Sequence, residues 1–185
     1  MLRAIVLVVT VLVLAAPARA YDNPISRGLS DFLNIFNEQA IPRQMVPWNG
    51  KQAPGTVVIS TSQRRLYYVL GNGRALRYGV GVGRQGFSWA GTKTVTMKRE
   101  WPDWRPPAAM LKRRPDLPRH MAGGIDNPLG ARAIYLGSSL YRIHGSNEPD
   151  TIGAAVSSGC IRMTNRDVTD LYERVRTGTR VVVLR

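Results

Sequence analysis

The spacing of apolar and polar positions changes character along the chain, and each change marks an element. An apolar run over residues 4–16 comes first, with Arg3 before it and Ala18-Arg19-Ala20 after it. Thirteen residues of helix span about 20 Å, short of the roughly 30 Å hydrocarbon core of a bilayer. This pattern fits a secretory signal peptide over residues 1–20, cut after Ala20, with an uncleaved anchor as the other reading. Residues 21–54 read as an N-terminal extension. Residues 30–36 suit one or two helical turns, and Pro42, Pro47, Gly50 and Pro54 break anything longer.

From Thr56 onward the runs are short and rich in β-branched and aromatic residues, which predicts strands at 56–61, 65–70, 74–83, 92–97, 133–136 and 140–143. Asn72-Gly73 supplies the positive φ of a tight hairpin turn between the second and third of these. A single helix is well specified. Thr164-Asn165-Arg166-Asp167 fits a capping box, and Val168, Leu171, Tyr172 and Val175 follow as one apolar stripe. Gly178 is expected to stop that helix, and 179–184 closes the chain as a buried strand. Residues 55–185 therefore read as one mainly β domain with short helices. Within it, 101–130 carries two tryptophans, six prolines, the last of them Pro128, and two adjacent glycines. So long an irregular stretch is expected to be a lid or a site wall, unless its tryptophans only cap the core.

Composition narrows the function. The 185 residues are 44% hydrophobic, enough for a packed core and for one domain. Lys and Arg number 26 against 12 acids, a net charge of +14, which falls to +12 when Arg3 and Arg19 leave with the signal peptide. Arginines occur singly or in pairs with no basic helix, and an exported chain rarely meets nucleic acid, so a nucleic-acid partner is not expected. A membrane surface or another anionic polymer fits the charge better. One cysteine excludes an internal disulfide, and two histidines are too few for a histidine-rich metal site.

The lone Cys160 can be an inert thiol, an intermolecular disulfide partner or a nucleophile. A thiol with its ordinary pKa is only ~3% thiolate at neutral pH, so a nucleophile needs a base. His144, sixteen residues earlier at the end of an expected strand, is the candidate. Gly159 leaves room beside Cys160 for backbone N–H groups to face a carbonyl oxygen. His120 has no place in this constellation and reads as a surface or lid histidine.

The run HGSNEPDTIGAAVSSGCIRM resembles the signature of the L,D-transpeptidase (YkuD-type) family: HG, a dozen or so residues, then S-x-G-C-apolar-R. Residues 55–61, 78–86, 101–107 and 123–137, with the helix and final strand, resemble its alpha-proteobacterial form. The likeness covers 55–185. It implies a YkuD-like mixed β-sandwich with one helix after the catalytic loop. By the same resemblance, Cys160 is the nucleophile, His144 the general base and acid, and the Gly145 carbonyl orients His144. The N–H groups of Cys160 and Gly159 would form the oxyanion hole. Arg162, Ser158 and Ser157 would meet substrate or hold the loop. Ser158 stands where many members carry a second histidine, so no second-histidine role transfers.

The implied reaction joins peptidoglycan stem peptides, a tetrapeptide donor and a diaminopimelate acceptor, in a 3→3 cross-link. It needs no metal or organic cofactor. Water as acceptor would make an L,D-carboxypeptidase, and an envelope protein as acceptor would make an anchoring enzyme. Carbapenem-type inhibitors are expected to acylate the cysteine, and the expected location is the periplasm. A non-catalytic peptidoglycan-binding module would not need His144 and Cys160. A papain-like peptidase would place its cysteine before its histidine, the reverse of the order here.

Overall fold

The computed structural model describes residues 41–185. The expected signal peptide and the helical turns at 30–36 lie outside the described residues. Eleven strands and two α-helices follow in chain order among the described residues. They are β1 Gln44–Pro47, β2 Val57–Ser60, β3 Arg65–Gly71, β4 Arg74–Gly79, β5 Val82–Gly83, β6 Gly91–Glu100, α1 Ala108–Arg113, β7 Arg132–Leu136, β8 Arg142–His144, β9 Ala155–Ser157, β10 Ile161–Arg162, α2 Asn165–Arg174 and β11 Arg180–Leu184.

Nine strands form one mixed sheet in the order β1-β4-β3-β2-β11-β6-β7-β8-β10, and β5 and β9 make a separate parallel pair. The last strand lies at its middle, β11 running parallel to β2 and antiparallel to β6. The ten-residue β6 serves both halves. Its first residues pair with β11, its last with β7, and the register shifts between Val95 and Met97. A bulge there bends the strand, so the halves share one core. Val57, Ile59, Leu66 and Tyr78 from one half pack in the same cluster as Ile134, Ile143, Ile161 and the Val168–Leu171 face of α2. The mainly β, mixed architecture expected from the sequence is the observed one.

Local readings hold where a single side chain or turn decides them. Asn72 and Gly73 both have positive φ, at 50° and 65°, as a type I′ hairpin requires. The Thr164 hydroxyl accepts from the Asp167 N–H at 3.1 Å, capping α2.

Four readings are corrected. A strand, β1, forms inside the expected extension and pairs antiparallel with β4. The expected strand at 74–83 is two strands, because the chain leaves β4 after Gly79 and pairs again with β9 from Val82. Residues 101–130 contain a short helix, α1. Finally, α2 ends at Arg174, before Gly178. Val175 turns extended (φ −91°, ψ 151°) with its side chain in the core, and Gly178 (φ 89°) shapes the turn into β11.

Candidate active site

Strands β8 and β10 run side by side in parallel, pairing Ile143 with Ile161 and His144 with Arg162. That register sets Cys160, just before β10, beside Arg142 at the start of β8. His144 and Cys160 thus reach the same cavity of about 630 Å³. Residues 101–130 form much of its wall through Trp104, Pro107, Met110, Leu117 and Leu129. Trp104 is also part of the buried core, so both readings of the tryptophan-rich stretch hold for that side chain. His120 lies outside the cavity lining, in contact with Asp103 at 3.0 Å on the surface of this segment.

His144 is only 4% exposed. Its Nδ1 lies 2.6 Å from the carbonyl oxygen of Gly145. A carbonyl only accepts, so Nδ1 carries the hydrogen and the neutral ring keeps Nε2 as an acceptor. Burial drives the imidazole pKa down to about 3, opposed by the Gly145 carbonyl and reinforced by the charges of Arg162 and Arg142. The ring is therefore a neutral base across physiological pH. Cys160 is partly buried, and its Sγ donates to the Leu140 carbonyl at 3.6 Å. Burial raises the thiol pKa, while the backbone and guanidinium of Arg142 and the charge of Arg162 pull it down. A protonated thiol and a neutral imidazole are the resting pair, and such a pair can deliver a nucleophile as the proton moves.

The turn before the cysteine is closely fitted. Gly159 has φ +108°, and a Cβ there would lie 2.6 Å from the Tyr141 ring and 3.1 Å from the Phe87 carbonyl oxygen. Trp89 stacks on Tyr141 at 4.5 Å and donates from Nε1 to the Gly159 carbonyl at 2.8 Å. The buried Ser157 closes the turn, its hydroxyl donating to the Cys160 carbonyl at 2.6 Å and accepting the Gly159 N–H at 3.1 Å. One of the two N–H groups expected to receive an oxyanion is therefore engaged by Ser157 in this structure. Ser158 lines the cavity. Arg162 also lines it, but its guanidinium reaches Glu148 at 2.8 Å and Thr151 at 3.4 Å. Of the two roles open to Arg162 in the sequence, this contact is with the loop.

Sequence reasoning missed two residues here. Asn165, the first residue of α2, accepts from the Ala131 N–H at 2.8 Å and donates to the Ser146 carbonyl at 3.0 Å, all buried. Its amide ties the Ser146 carbonyl, two residues past His144, to the Ala131 N–H just before β7. The signal was an asparagine inside a capping box, which the cap alone explained. Arg142 lies outside the histidine–cysteine motif, and only the β8–β10 register brings it beside Cys160. The cavity in fact carries four arginines, Arg113, Arg114, Arg142 and Arg162. Arg114 is held by Asp116 and Arg162 by Glu148. Arg113 and Arg142 instead lie over aromatic rings, those of Phe87 and Tyr135. Among the described residues no group of three or more His, Cys, Asp or Glu side chains is placed to hold a metal ion.

Residues 54–183 match the family model described as the L,D-transpeptidase catalytic domain, YkuD. The chain is 35% identical over 192 aligned positions to the curated "Probable L,D-transpeptidase ErfK/SrfK" of Escherichia coli K12, a match that covers 91% of this chain and 59% of that protein. The chain thus spans less than two thirds of that relative's length. A crystal structure from Brucella melitensis, described as a probable carnitine operon oxidoreductase, is 44% identical, with a TM-score of 0.54 over 82% of this chain and 98% of that one. L,D-transpeptidase 3 of Mycobacterium tuberculosis, solved with a faropenem-derived adduct, shares the fold at 19% identity, with a TM-score of 0.56 over 70% of this chain and 60% of that one.

Proposed function

We propose, for a chain that belongs to the L,D-transpeptidase catalytic domain (YkuD) family, that it cross-links peptidoglycan stems 3→3 through a Cys160 acyl-enzyme. One observation carries the reading: neighbouring parallel strands deliver His144 and Cys160 to one cavity, with Nδ1 of His144 tied to the Gly145 carbonyl. Nε2 of His144 takes the thiol proton as Sγ attacks the carbonyl of residue 3 of a tetrapeptide stem, at the L-centre of meso-diaminopimelate. The same nitrogen returns that proton to the departing amine of D-alanine. A diaminopimelate amine of a second stem then attacks the thioester, gives its proton to His144 and leaves the cross-link. The Cys160 N–H faces the oxyanion, joined by that of Gly159 once Ser157 releases it.

The cavity arginines give this substrate a reason to bind. Stem peptides carry carboxylates, and Arg113 is placed on the wall to receive one by charge-assisted hydrogen bonds. Arg162 keeps the loop, with Ser158 at the cavity wall. Water as acceptor gives trimming, and a protein amine gives anchoring; both proceed through the same thioester. The redox description of the Brucella protein stays with that protein. We further assign the chain to the alpha-proteobacterial form of the family and to the periplasm, with residues 1–20 as its export signal, 21–54 as an extension whose strand β1 joins the sheet, and 55–185 as the catalytic domain. The resembling segments and the sequence of residues 1–20 support this.

The test is intact-mass spectrometry of the protein with a carbapenem, followed by muropeptide analysis of cells expressing wild type or Cys160→Ala. A covalent adduct lost in Cys160→Ala, together with 3→3 dimers, is the expected result. No adduct on wild type overturns the acyl-enzyme, and tripeptides without dimers move the assignment to trimming.

A further inference from the structure

A cysteine nucleophile is commonly held as thiolate by the imidazolium beside it. That arrangement does not suit this site. His144 is buried, and both Arg142 and Arg162 further disfavour charge on its ring. The positive charge needed by a thiolate has to come from elsewhere in the cavity.

Three geometric observations converge on one residue. Arg142 sits at the start of β8, beside Cys160 by the register of β8 with β10. Its Nη1 donates to the Leu140 carbonyl at 3.3 Å, the same oxygen that accepts the Cys160 thiol at 3.6 Å, so thiol and guanidinium meet at one acceptor. Its Nε is buried and makes no hydrogen bond to any described residue. A buried guanidinium N–H without an acceptor is costly, and an anion arriving beside it recovers that cost. The guanidinium carbon lies 5.1 Å from the Tyr135 ring centre, which fixes its plane.

We propose that Arg142 holds the Cys160 sulfur as a thiolate, through its guanidinium and its own backbone N–H. The thiol lets go of the Leu140 carbonyl, its proton passes by way of Nε2 of His144 to solvent so that the ring returns to neutral, and the sulfur left behind keeps both Arg142 donors. The burial that raises the thiol pKa is thereby partly offset by Arg142, which acts on it through main chain and side chain together. This rests on the reading of Cys160 as nucleophile and assigns its activation to a residue outside the histidine–cysteine motif.

The other charged groups around the sulfur do not substitute for it. Arg162 faces the site from β10, but it is paired with Glu148 and acts on the thiol less than Arg142 does. Arg114 on the opposite wall is paired with Asp116. Arg113 lies against Phe87, and Lys93 sits 5.5–5.6 Å above the rings of Trp89 and Tyr141. Tyr141 contributes its ring to the stack with Trp89.

The chain has a single cysteine, so alkylation of the whole protein by iodoacetamide reports this thiol without reference to turnover. The experiment measures alkylation rate against pH for wild type, Arg142→Ala, Arg142→Gln and Arg142→Lys, each checked for folding by circular dichroism. Removing the cation is expected to move the midpoint up by about one pH unit, a roughly tenfold loss of thiolate below the midpoint. Arg142→Lys should recover part of it, and Arg176→Ala, away from the cavity, none of the loss. Should Arg142→Ala fail to fold, Arg142→Gln keeps the shape and removes the charge. A folded Arg142→Ala or Arg142→Gln with the wild-type midpoint overturns the proposal. If the midpoint shifts but Cys160→Ala still acylates, the nucleophile assignment fails while the hold on the sulfur stands.

Discussion

Removal of the Asn165 side chain is the sharpest test of how α2 reaches the site. Asn165→Ala deletes two buried hydrogen bonds, of 2.8 Å from the Ala131 N–H and 3.0 Å to the Ser146 carbonyl. Both backbone partners would be left unsatisfied. Each such group costs about 1–3 kcal/mol, and alanine returns a few tenths through helix propensity, so a destabilisation of about 2–4 kcal/mol is expected. The second consequence is chemical. Gly145 packs so closely that a Cβ on it would lie 2.2 Å from the Asn165 Oδ1. Loss of the amide frees the Ser146 carbonyl, the next one along from the Gly145 carbonyl that sets the His144 tautomer. A misplacement near 1 Å can cost on the order of 100-fold in rate, so acylation by a carbapenem should slow by one to two orders of magnitude in protein that is still folded.

Urea titration measures the first effect and stopped-flow acylation in native buffer the second. Asn165→Asp separates the two hydrogen bonds, since it keeps the acceptor for Ala131 and loses the donor to Ser146. Protonation restores a donor, so its stability deficit should narrow as pH falls. Destabilisation below about 0.5 kcal/mol in Asn165→Ala would refute the clamp. Large destabilisation with acylation unchanged would keep the clamp and sever its link to His144.

The pH dependence of stability has a definite sign. His144 titrates near 6.5 when unfolded and near 3 when folded, so the unfolded chain takes up a proton first as pH falls. Its contribution is complete above 6.5 and is lost progressively toward 3, so the stability of wild type relative to His144→Gln should decline over that interval in urea titrations; an increase would contradict the buried neutral ring. Asp167 acts oppositely, because burial raises its pKa to about 6. Its contribution is complete below the unfolded value and is lost as pH rises through 6, so Asp167→Asn should gain stability on wild type between pH 4 and pH 8 by thermal melting. Gly159→Ala forces a side chain into φ +108° and against Tyr141; mass spectrometry should find carbapenem acylation at least tenfold slower, and an unchanged rate would remove the turn from the mechanism.

What the sequence disclosed was local, and what it hid depended on distant partners. The hairpin at Asn72-Gly73 and the Thr164 cap are decided within four residues, so residue type alone predicts them. His144 and Cys160 could be paired because a motif holds both at a near-fixed spacing. Strand β1 was hidden because QMVP carries little apolar signal of its own. It forms on the free edge of β4, anchored by Arg43 on Asp170 at 2.9 Å. Helix α1 was hidden because six residues between Pro107 and Arg114 are too few for an apolar stripe to repeat. The early end of α2 turns on the core taking Val175, a tertiary demand that overrode the glycine signal at 178.

Arg142 belongs to the second kind, and it shows where function escapes a one-dimensional reading. In sequence it is a cation two places before a histidine, alternating with Ile143 as any edge residue of a strand might. Its significance arises from the parallel register of β8 with β10, which is set eighteen residues away by the Ile161 pairing. The same register that brings the base to the cavity of the nucleophile puts a guanidinium beside the sulfur. A strand offset by one residue would turn His144 out of the cavity and into the core. The pairing of two short strands, of three and two residues, therefore positions the side chains that the chemistry uses. Its hold comes from outside the pair: Met163 N–H on the His144 carbonyl at 2.8 Å, the Gly81–Arg162 bridge, and Asn165 on the turn that follows.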